Sequence, residues 1–140
     1  MTDFSAAPSP APLRVLLVDD DTFMLALLTD MLADLGIDAV RAEADARTAL
    51  ASLAADPPDL LICDLSMPDM DGIEFMQAAA GARYGGSVML LSGMDEGVRR
   101  AAETLARAQG LKVLGAFKKP ISVLDMSAAL VPLFAAQATA

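Results

Sequence analysis

Several apolar segments of the chain end in residues whose side chains can do chemistry. These residues are carboxylates, a hydroxyl and two lysines: Asp19, Asp20 and Asp21; Asp64; Ser92; Lys118 and Lys119. Clustered carboxylates repel one another unless a cation or a proton lies between them. Mg²⁺ or a similar ion such as Mn²⁺ prefers oxygen ligands and commonly uses only one or two carboxylates. The residue types therefore predict a divalent metal site, with a lysine opposite it that suits a phosphoryl oxygen.

Apolar runs alternate with amphipathic segments along the chain, which predicts five strands and five helices. The predicted strands are Leu13–Val18, Asp38–Ala42, Leu60–Cys63, Val88–Leu91 and Val113–Phe117. The predicted helices are Thr22–Leu35, Asp45–Ala55, Gly72–Ala80, Asp95–Gln109 and Ser122–Phe134. Such alternation implies an α/β doubly wound fold, a parallel sheet with helices on both faces. Ligands bind these sheets at the carboxyl ends of the strands, where the chemical residues lie.

The apolar stripes of two helices predict which faces pack on the sheet. The first helix should bury Met24, Leu27, Leu28, Met31, Leu32 and Leu35. The fourth helix should bury Val98, Ala102, Leu105 and Ala108. Glu103 and Arg107 should form an i,i+4 ion pair on the flank of the fourth helix.

The length of 140 residues predicts one domain, spanning residues 13–134. Pro8, Pro10 and Pro12 lie among Ser and Ala, so residues 1–12 are expected to form a disordered tail, and residues 135–140 a short C-terminal one. The start of the chain lacks the features of a secretory signal, and no apolar run is long enough to span a bilayer, so we expect a cytoplasmic protein and no membrane partner.

The charge and composition exclude several classes of function. A formal net charge of -9 disfavours binding to nucleic acid. The chain contains no histidine, which excludes a Ser-His-Asp triad, a histidine phosphocarrier and a His-ligated metal site. Cys63 is the single cysteine, which excludes an internal disulfide; its apolar surroundings predict a buried thiol.

Four motifs together resemble response-regulator receiver domains of two-component signalling. They read VLLVDDD from Val15, LICDLSMPDMDG from Leu61, LLSG from Leu90, and Lys119-Pro120. One of these motifs alone would be weak, but four in order at the right strand ends make coincidence improbable. The resemblance covers Leu13 to Phe134. It implies a flavodoxin-like fold with strand order 2-1-3-4-5 and a phosphoprotein that signals by docking rather than an enzyme.

The same resemblance assigns roles around Asp64, which it makes the phosphoacceptor. Asp20 should bind the metal directly and Asp19 largely through water, and the backbone carbonyl of Ser66 should complete the protein ligands. Asp21 is expected to be an ordinary first-turn residue of the helix that follows.

Two further residues are expected to act on the phosphoryl group itself. Ser92 should donate its hydroxyl, and Lys119 should neutralise the charge on the phosphoryl oxygens. The bland alternatives are a turn hydroxyl for Ser92 and a solvated surface charge for Lys119; Lys118 is expected to be such a charge. In this family a cis bond before Pro120 would aim the lysine inward.

Two departures from the family pattern concern how the signal leaves the site, and two further positions concern how long the phosphoryl group persists. The switch position, where the family carries an aromatic residue, holds Ala116, and Phe117 should point to the opposite face of the sheet. The stretch from Ser92 to Lys119 is longer than usual and is expected to extend the fourth helix. Within it, the segment from Glu103 to Pro120 resembles receivers joined to cyclic di-GMP phosphodiesterase domains. In this family the residues two positions after the phosphoacceptor and after the strand-four hydroxyl modulate dephosphorylation. Here they are Ser66 and Met94, which are neither acids nor amides, and this predicts slow self-dephosphorylation.

The expected partners are a histidine kinase or histidine phosphotransfer protein and an unknown output protein. The output surface should be the fourth helix, fifth strand and fifth helix, which also offer a possible homodimer interface. One alternative is a phosphorylation-independent interaction module with a relic acidic pocket. A less favoured alternative is an aspartyl-nucleophile phosphohydrolase, which needs a second acid where this chain has Ser66.

Overall fold

The computed structural model describes residues 12–67, 70 and 72–139. Strands and helices alternate in the predicted order. The strands are β1 (Arg14–Val18), β2 (Ala39–Glu43), β3 (Leu60–Asp64), β4 (Ser87–Ser92) and β5 (Lys112–Lys118). The helices are α1 (Thr22–Asp34), α2 (Ala46–Ala55), α3 (Gly72–Gly81), α4 (Glu96–Ala108) and α5 (Val123–Thr139). Residues 1–11 of the predicted tail lie outside the described residues.

The five strands form one parallel sheet in the order β2-β1-β3-β4-β5. This arrangement confirms the doubly wound fold and its predicted strand order. The order reverses between β1 and β3, so the carboxyl ends of these two strands border the crevice at which such sheets bind ligands.

Aspartates begin three of the helices. Asp21 accepts hydrogen bonds from the backbone N–H groups of Phe23 and Met24, which caps α1. Asp45 and Asp95 cap α2 and α4 in the same way. The predicted bounds placed Asp45 and Asp95 inside their helices, and Asp21 was expected in the first turn of α1. A side chain that bonds the free N–H groups of the first turn is most stable just outside the helix, and all three aspartates lie one residue before it.

Each face of the sheet is covered by its own apolar layer. On one face, side chains from β1, β3 and β4 pack against α2, α3 and α4, with Phe75 fully buried. On the other face, the alternate residues of the same strands pack against α1 and α5, with Leu28 and Met126 at the centre. Because β3 is buried on both faces, the aspartate at its end lies where the protein interior meets the crevice.

The predicted buried stripes of α1 and α4 were partly wrong. The residues of α1 that are buried are Leu25, Leu28 and Leu32, whereas Leu27 is exposed and Met24, Met31 and Leu35 are only partly buried. In α4, Ala102 and Ala106 are buried, and Val98, Leu105 and Ala108 are exposed. Alanines let a helix approach the sheet closely, so small residues rather than the larger apolar ones face inward. The predicted ion pair is present, with Arg107 Nη2 lying 2.7 Å from Glu103 Oε2.

A β-bulge in β5 decides which residues of that strand face α4. Val88 pairs with Val113 and Met89 with Gly115, so Leu114 is the extra residue. Beyond the bulge, Ala116 packs on the α4 side and Phe117 on the α1 and α5 side, as strand alternation predicts for these two neighbours.

The last helix is longer than the sequence predicted. α5 continues through Pro132 to Thr139 instead of ending at Phe134. The peptide bond between Lys119 and Pro120, shortly before this helix, is cis. None of the helices in the described part of the chain is long and apolar enough to cross a membrane.

Candidate functional site

The carboxyl ends of β1 and β3 bring three carboxylates together. Asp19 and Asp64 are buried, with exposed fractions of 1% and 2%, and Asp20 beside them is exposed. One oxygen from each of the three lies within 4.8 Å of the others. Asp19 Oδ1 accepts the backbone N–H of Asp21 at 2.9 Å, and Asp64 Oδ1 accepts that of Ser66 at 3.1 Å. Backbone donors therefore hold both buried carboxylates, and the third carboxylate, that of Asp20, is exposed.

Lys119 joins the two buried carboxylates. Its Nζ atom lies 2.8 Å from Asp19 Oδ2 and 3.3 Å from Asp64 Oδ1. The backbone N–H of Lys119 donates to the carbonyl of Ser92 at 2.9 Å, which fixes the end of β5 against β4. Its side chain is 18% exposed, so the alternative reading of Lys119 as a solvated surface charge does not fit. The neighbouring Lys118 is exposed, as predicted.

The end of β4 contributes a buried hydroxyl. Ser92 is fully buried, and its Oγ atom accepts the backbone N–H of Met94 at 2.9 Å. That bond uses a lone pair of the hydroxyl, so its hydrogen remains available to an acceptor in the site. Met94 itself is exposed in the loop between β4 and α4.

Burial and charge set the protonation of the site. Burial, together with the charge of Asp19, raises the pKa of Asp64 to about 6, although the Ser66 N–H and Lys119 act in the opposite direction. Burial also acts to lower the pKa of Lys119, but Asp19 and Asp64 outweigh it and raise that pKa above its ordinary value. Near neutral pH, Asp64 is mostly ionised and Lys119 is charged.

The carboxylate cluster fits a divalent cation. Two carboxylates would balance one divalent ion, whereas Lys119 alone leaves Asp19, Asp20 and Asp64 with a net negative charge. Asp19 Oδ2 is buried and, among the described residues, accepts no well-formed hydrogen bond despite its ionic contact with Lys119. An oxygen-only donor set of this kind suits Mg²⁺ or Mn²⁺.

No role in the site was predicted for two residues that support it. Gly72 is the first residue of α3, and its N–H donates to the carbonyl of Leu65, the residue after Asp64, at 3.0 Å. Arg99 of α4 donates from Nη1 to the carbonyl of Met94 at 2.7 Å. Gly72 lies within a quoted motif, which is a signal for its position, but a bond from arginine to a backbone carbonyl leaves no pattern in a sequence.

The structure thus brings Asp19, Asp20, Asp64 and Lys119 into one cluster, with Ser92 at the end of the adjacent strand. Ser66 lies two residues after Asp64, and Ala116 packs on the α4 side of β5. Pro68, Asp69 and Asp71 of the quoted motif lie outside the described residues.

Comparison with known proteins identifies the family to which this chain belongs. Residues 15–130 match the family model described as the response regulator receiver domain. The chain belongs to the response regulator receiver family. As a receiver of the CheY-like type, it has the acidic pocket at which receiver domains bind Mg²⁺, and its family interacts with histidine kinases and phosphotransfer proteins.

Individual relatives cover this receiver to different extents. It is 30% identical to a probable chemotaxis protein CheY of Rhizobium etli over 124 residues, 89% of this chain and 94% of that protein. It is 32% identical over 119 residues to the cyclic di-GMP phosphodiesterase RocR of Pseudomonas aeruginosa, 84% of this chain but only 30% of RocR. A protein-glutamate methylesterase/protein-glutamine glutaminase of Xanthomonas oryzae is 34% identical over 110 residues, 78% of this chain and 30% of that protein. The receiver therefore spans less than a third of the length of the last two.

Solved structures show the same fold. A response regulator from Colwellia psychrerythraea superposes with a TM-score of 0.76 at 39% identity, covering 88% of this chain and 97% of that one.

Proposed function

We propose that this receiver accepts a phosphoryl group on Asp64 from a histidine kinase or a histidine phosphotransfer protein, with the help of Mg²⁺ or Mn²⁺. The observation that carries the proposal is the contact of Lys119 Nζ with both buried carboxylates, Asp19 and Asp64. A buried ammonium aimed at a nucleophilic carboxylate is a ready partner for the phosphoryl oxygens that arrive with the reaction.

The transfer forms one bond and breaks one. An ionised oxygen of Asp64 attacks the phosphorus of a phosphohistidine, and the phosphorus–nitrogen bond breaks with its electron pair staying on the imidazole of the donor histidine, which leaves. An aspartyl phosphate remains on the receiver. Ser92 turns its hydroxyl hydrogen to a phosphoryl oxygen, and Lys119 transfers its ion pairing from the Asp64 carboxylate to the phosphoryl group. Ser66 keeps the carboxylate in place through its backbone N–H.

Asp19, Asp20 and Asp64 would hold the metal ion, together with the backbone carbonyl of Ser66. When bound, the ion neutralises negative charge on the carboxylates and on the phosphoryl oxygens. The carboxylate separation of no more than 4.8 Å supports this ligand set.

Mass spectrometry after incubation with acetyl phosphate tests the proposal. We expect the intact protein to gain phosphate in the presence of Mg²⁺ and not in the presence of EDTA. The Asp64→Asn variant should gain none, and Asp30→Asn, which changes an exposed acid of α1, should gain as much as the wild type. Equal labelling of wild type and Asp64→Asn contradicts the assignment.

Slow loss of the phosphoryl group is part of the proposal. Ser66 and Met94 offer neither a carboxylate nor an amide that would orient an attacking water molecule, and both are exposed. The label on Asp64 should therefore persist for minutes or longer after the phosphodonor is removed, and its loss within seconds would contradict this prediction.

We further propose that the phosphorylated receiver docks an output protein, or a second copy of itself, through the surface of α4, β5 and α5. Exposed apolar side chains support this surface, since Val98 of α4 and Val123, Leu124 and Val131 of α5 are 40%, 54%, 82% and 58% exposed. Light scattering with and without beryllofluoride, a mimic of the phosphoryl group, tests the homodimer directly.

One observation keeps a second function open. Ala116 carries only a methyl group at the position where the family pattern has a switch aromatic, which favours an interaction module that ignores phosphorylation. Identical partner affinity with and without beryllofluoride would support this second function and reject docking that depends on phosphorylation.

A further inference from the structure

The loop between β4 and α4 connects the buried hydroxyl to the protein surface. The N–H of Met94 donates to Ser92 Oγ at 2.9 Å, and the carbonyl of the same residue accepts from Arg99 Nη1 at 2.7 Å. Met94 is thus tied at its amide to the end of β4 and at its carbonyl to a guanidinium of α4. If the Ser92 hydroxyl turns and the Met94 amide moves with it, the contact between the Met94 carbonyl and Arg99 also changes.

Arg99 shares a pocket with the small residue of β5. A pocket of about 300 Å³ lies between α4 and β5, lined by Ala116, Arg99 and three further charged residues of α4, Glu96, Arg100 and Glu103. Since Ala116 offers only a methyl group, this pocket has space for another side chain.

The charged neighbours of Arg99 have partners of their own. Arg100 pairs with Glu96 at 2.9 Å, and Glu103 pairs with Arg107 at 2.7 Å. Arg99, in contrast, is half-buried and bonds the loop. Its guanidinium is therefore the cation of this pocket that responds to the position of Met94.

We propose that Arg99 is a positioning residue of the phosphoryl site. The inference rests on the proposed phosphorylation of Asp64. In the unphosphorylated protein, Arg99 holds the Met94 carbonyl and, through it, the amide that binds Ser92 Oγ. When Ser92 turns to a phosphoryl oxygen, the loop releases Arg99, and its side chain moves into the pocket beside Ala116. The positive charge that a docking partner meets between α4 and β5 changes as a result.

A contact present in only one of two states biases the equilibrium between them. The bond between Arg99 and Met94 stabilises the unphosphorylated loop, so its removal should favour the phosphorylated arrangement. For a partly exposed, charge-assisted hydrogen bond we expect a change in affinity for a phosphoryl mimic of about three- to tenfold. A merely structural role for Arg99 would not tighten the binding of such a mimic.

Beryllofluoride titration of the full chain in the presence of Mg²⁺ tests the inference, with binding followed by NMR of ¹³C-labelled methionine methyl groups. Arg99→Ala and Arg99→Gln should bind beryllofluoride three- to tenfold more tightly than the wild type. Arg99→Lys keeps a cation that can donate to the Met94 carbonyl and should lie between these variants and the wild type. Arg100→Ala is the matched control, because Arg100 lies on the same helix but pairs with Glu96, and its affinity should stay within twofold of the wild type.

The outcomes separate the two levels of the proposal. If the wild type binds beryllofluoride no better than Asp64→Asn does, the proposed function itself fails. If the wild type binds at Asp64 but Arg99→Ala and Arg99→Gln match Arg100→Ala or bind more weakly, the role of Arg99 is overturned and the proposed function stands.

Discussion

At the scale of single residues, the site combines a buried carboxylate, the proposed phosphoacceptor, with the groups that keep it charged. Asp64 is almost fully buried, and burial disfavours its carboxylate. The N–H of Ser66 and the ammonium of Lys119 offset part of this cost. The carboxylate is therefore retained at a cost in stability, which is measurable.

Asp64→Asn should raise the free energy of unfolding. Because folding raises the pKa of Asp64 from 3.8 to about 6, the ionised carboxylate destabilises the fold fully above about pH 6, and the effect disappears as the pH falls towards 3.8. Asparagine does not ionise. We expect the variant to be more stable than the wild type by about 1 to 3 kcal/mol at neutral pH without divalent metal.

Thermal melts of both proteins in EDTA across this pH range check the prediction. The advantage of the variant should shrink between pH 6 and pH 4. An advantage that is the same at pH 7.5 and pH 4 would have to come from a source other than the ionisation of Asp64.

The residue types at the strand ends were enough to predict the cluster, since Asp19, Asp64 and Lys119 do lie together. Their roles in phosphorylation remain predictions. Arg99 could not have been found in this way, because its partner is the backbone carbonyl of Met94, and any residue at position 94 would supply one.

At the scale of elements, the start of α3 controls the segment that follows β3. A Cβ atom on Gly72 would lie 2.5 Å from Leu65 Cα and 3.1 Å from the carbonyl oxygen of Asp64. These are backbone atoms, which cannot rotate away. The helix can therefore approach the site only because residue 72 has no side chain.

Gly72→Ala should destabilise the protein by about 2 kcal/mol or more and reduce phosphorylation, because the new methyl group displaces Leu65 and with it Asp64. Gly81→Ala is the matched control at the other end of α3, where a Cβ atom would meet nothing within 4 Å. That variant should stay within about 0.5 kcal/mol of the wild type or be slightly more stable. Urea unfolding and acetyl phosphate labelling of the two variants provide the measurement; equal stability would contradict the close approach.

The order and type of the elements followed from the alternation of apolar runs. The face that each helix turns towards the sheet did not. Counting apolar residues placed both Ala102 and Leu105 in the buried face of α4, but only Ala102 is buried, and its buried neighbour is Ala106. The bulge at Leu114 likewise depends on pairing between β4 and β5, which are distant in the sequence. Such details are set by tertiary packing, which local patterns do not encode.

At the scale of the whole molecule, the net charge of -9 adds to the repulsion inside the carboxylate cluster. A divalent cation that binds only the folded chain stabilises it by mass action. Mg²⁺ at ten times its dissociation constant should contribute about 1.4 kcal/mol, seen as a higher melting temperature.

Mg²⁺ can stabilise the fold by binding at the carboxylate cluster and by screening the overall negative charge. Comparing it with NaCl at equal ionic strength separates these two contributions. Asp20→Asn should lose most of the stabilisation specific to Mg²⁺, whereas Asp30→Asn, which removes the same charge from an exposed position on α1, should keep it. Equal loss in the two variants would mean that Mg²⁺ acts only by screening the overall charge.

The single cysteine, Cys63, lies in the central strand β3, and its reactivity can report when that strand opens. Cys63 is fully buried, its Sγ donates to the carbonyl of Asp64 at 3.3 Å, and burial together with the charges of Asp64 and Asp19 raises the pKa of the thiol above its ordinary value. A thiol reagent can therefore react only with molecules in which β3 has opened. The rate of alkylation of Cys63 measures how often β3 leaves the sheet. It should fall when Mg²⁺ or beryllofluoride binds.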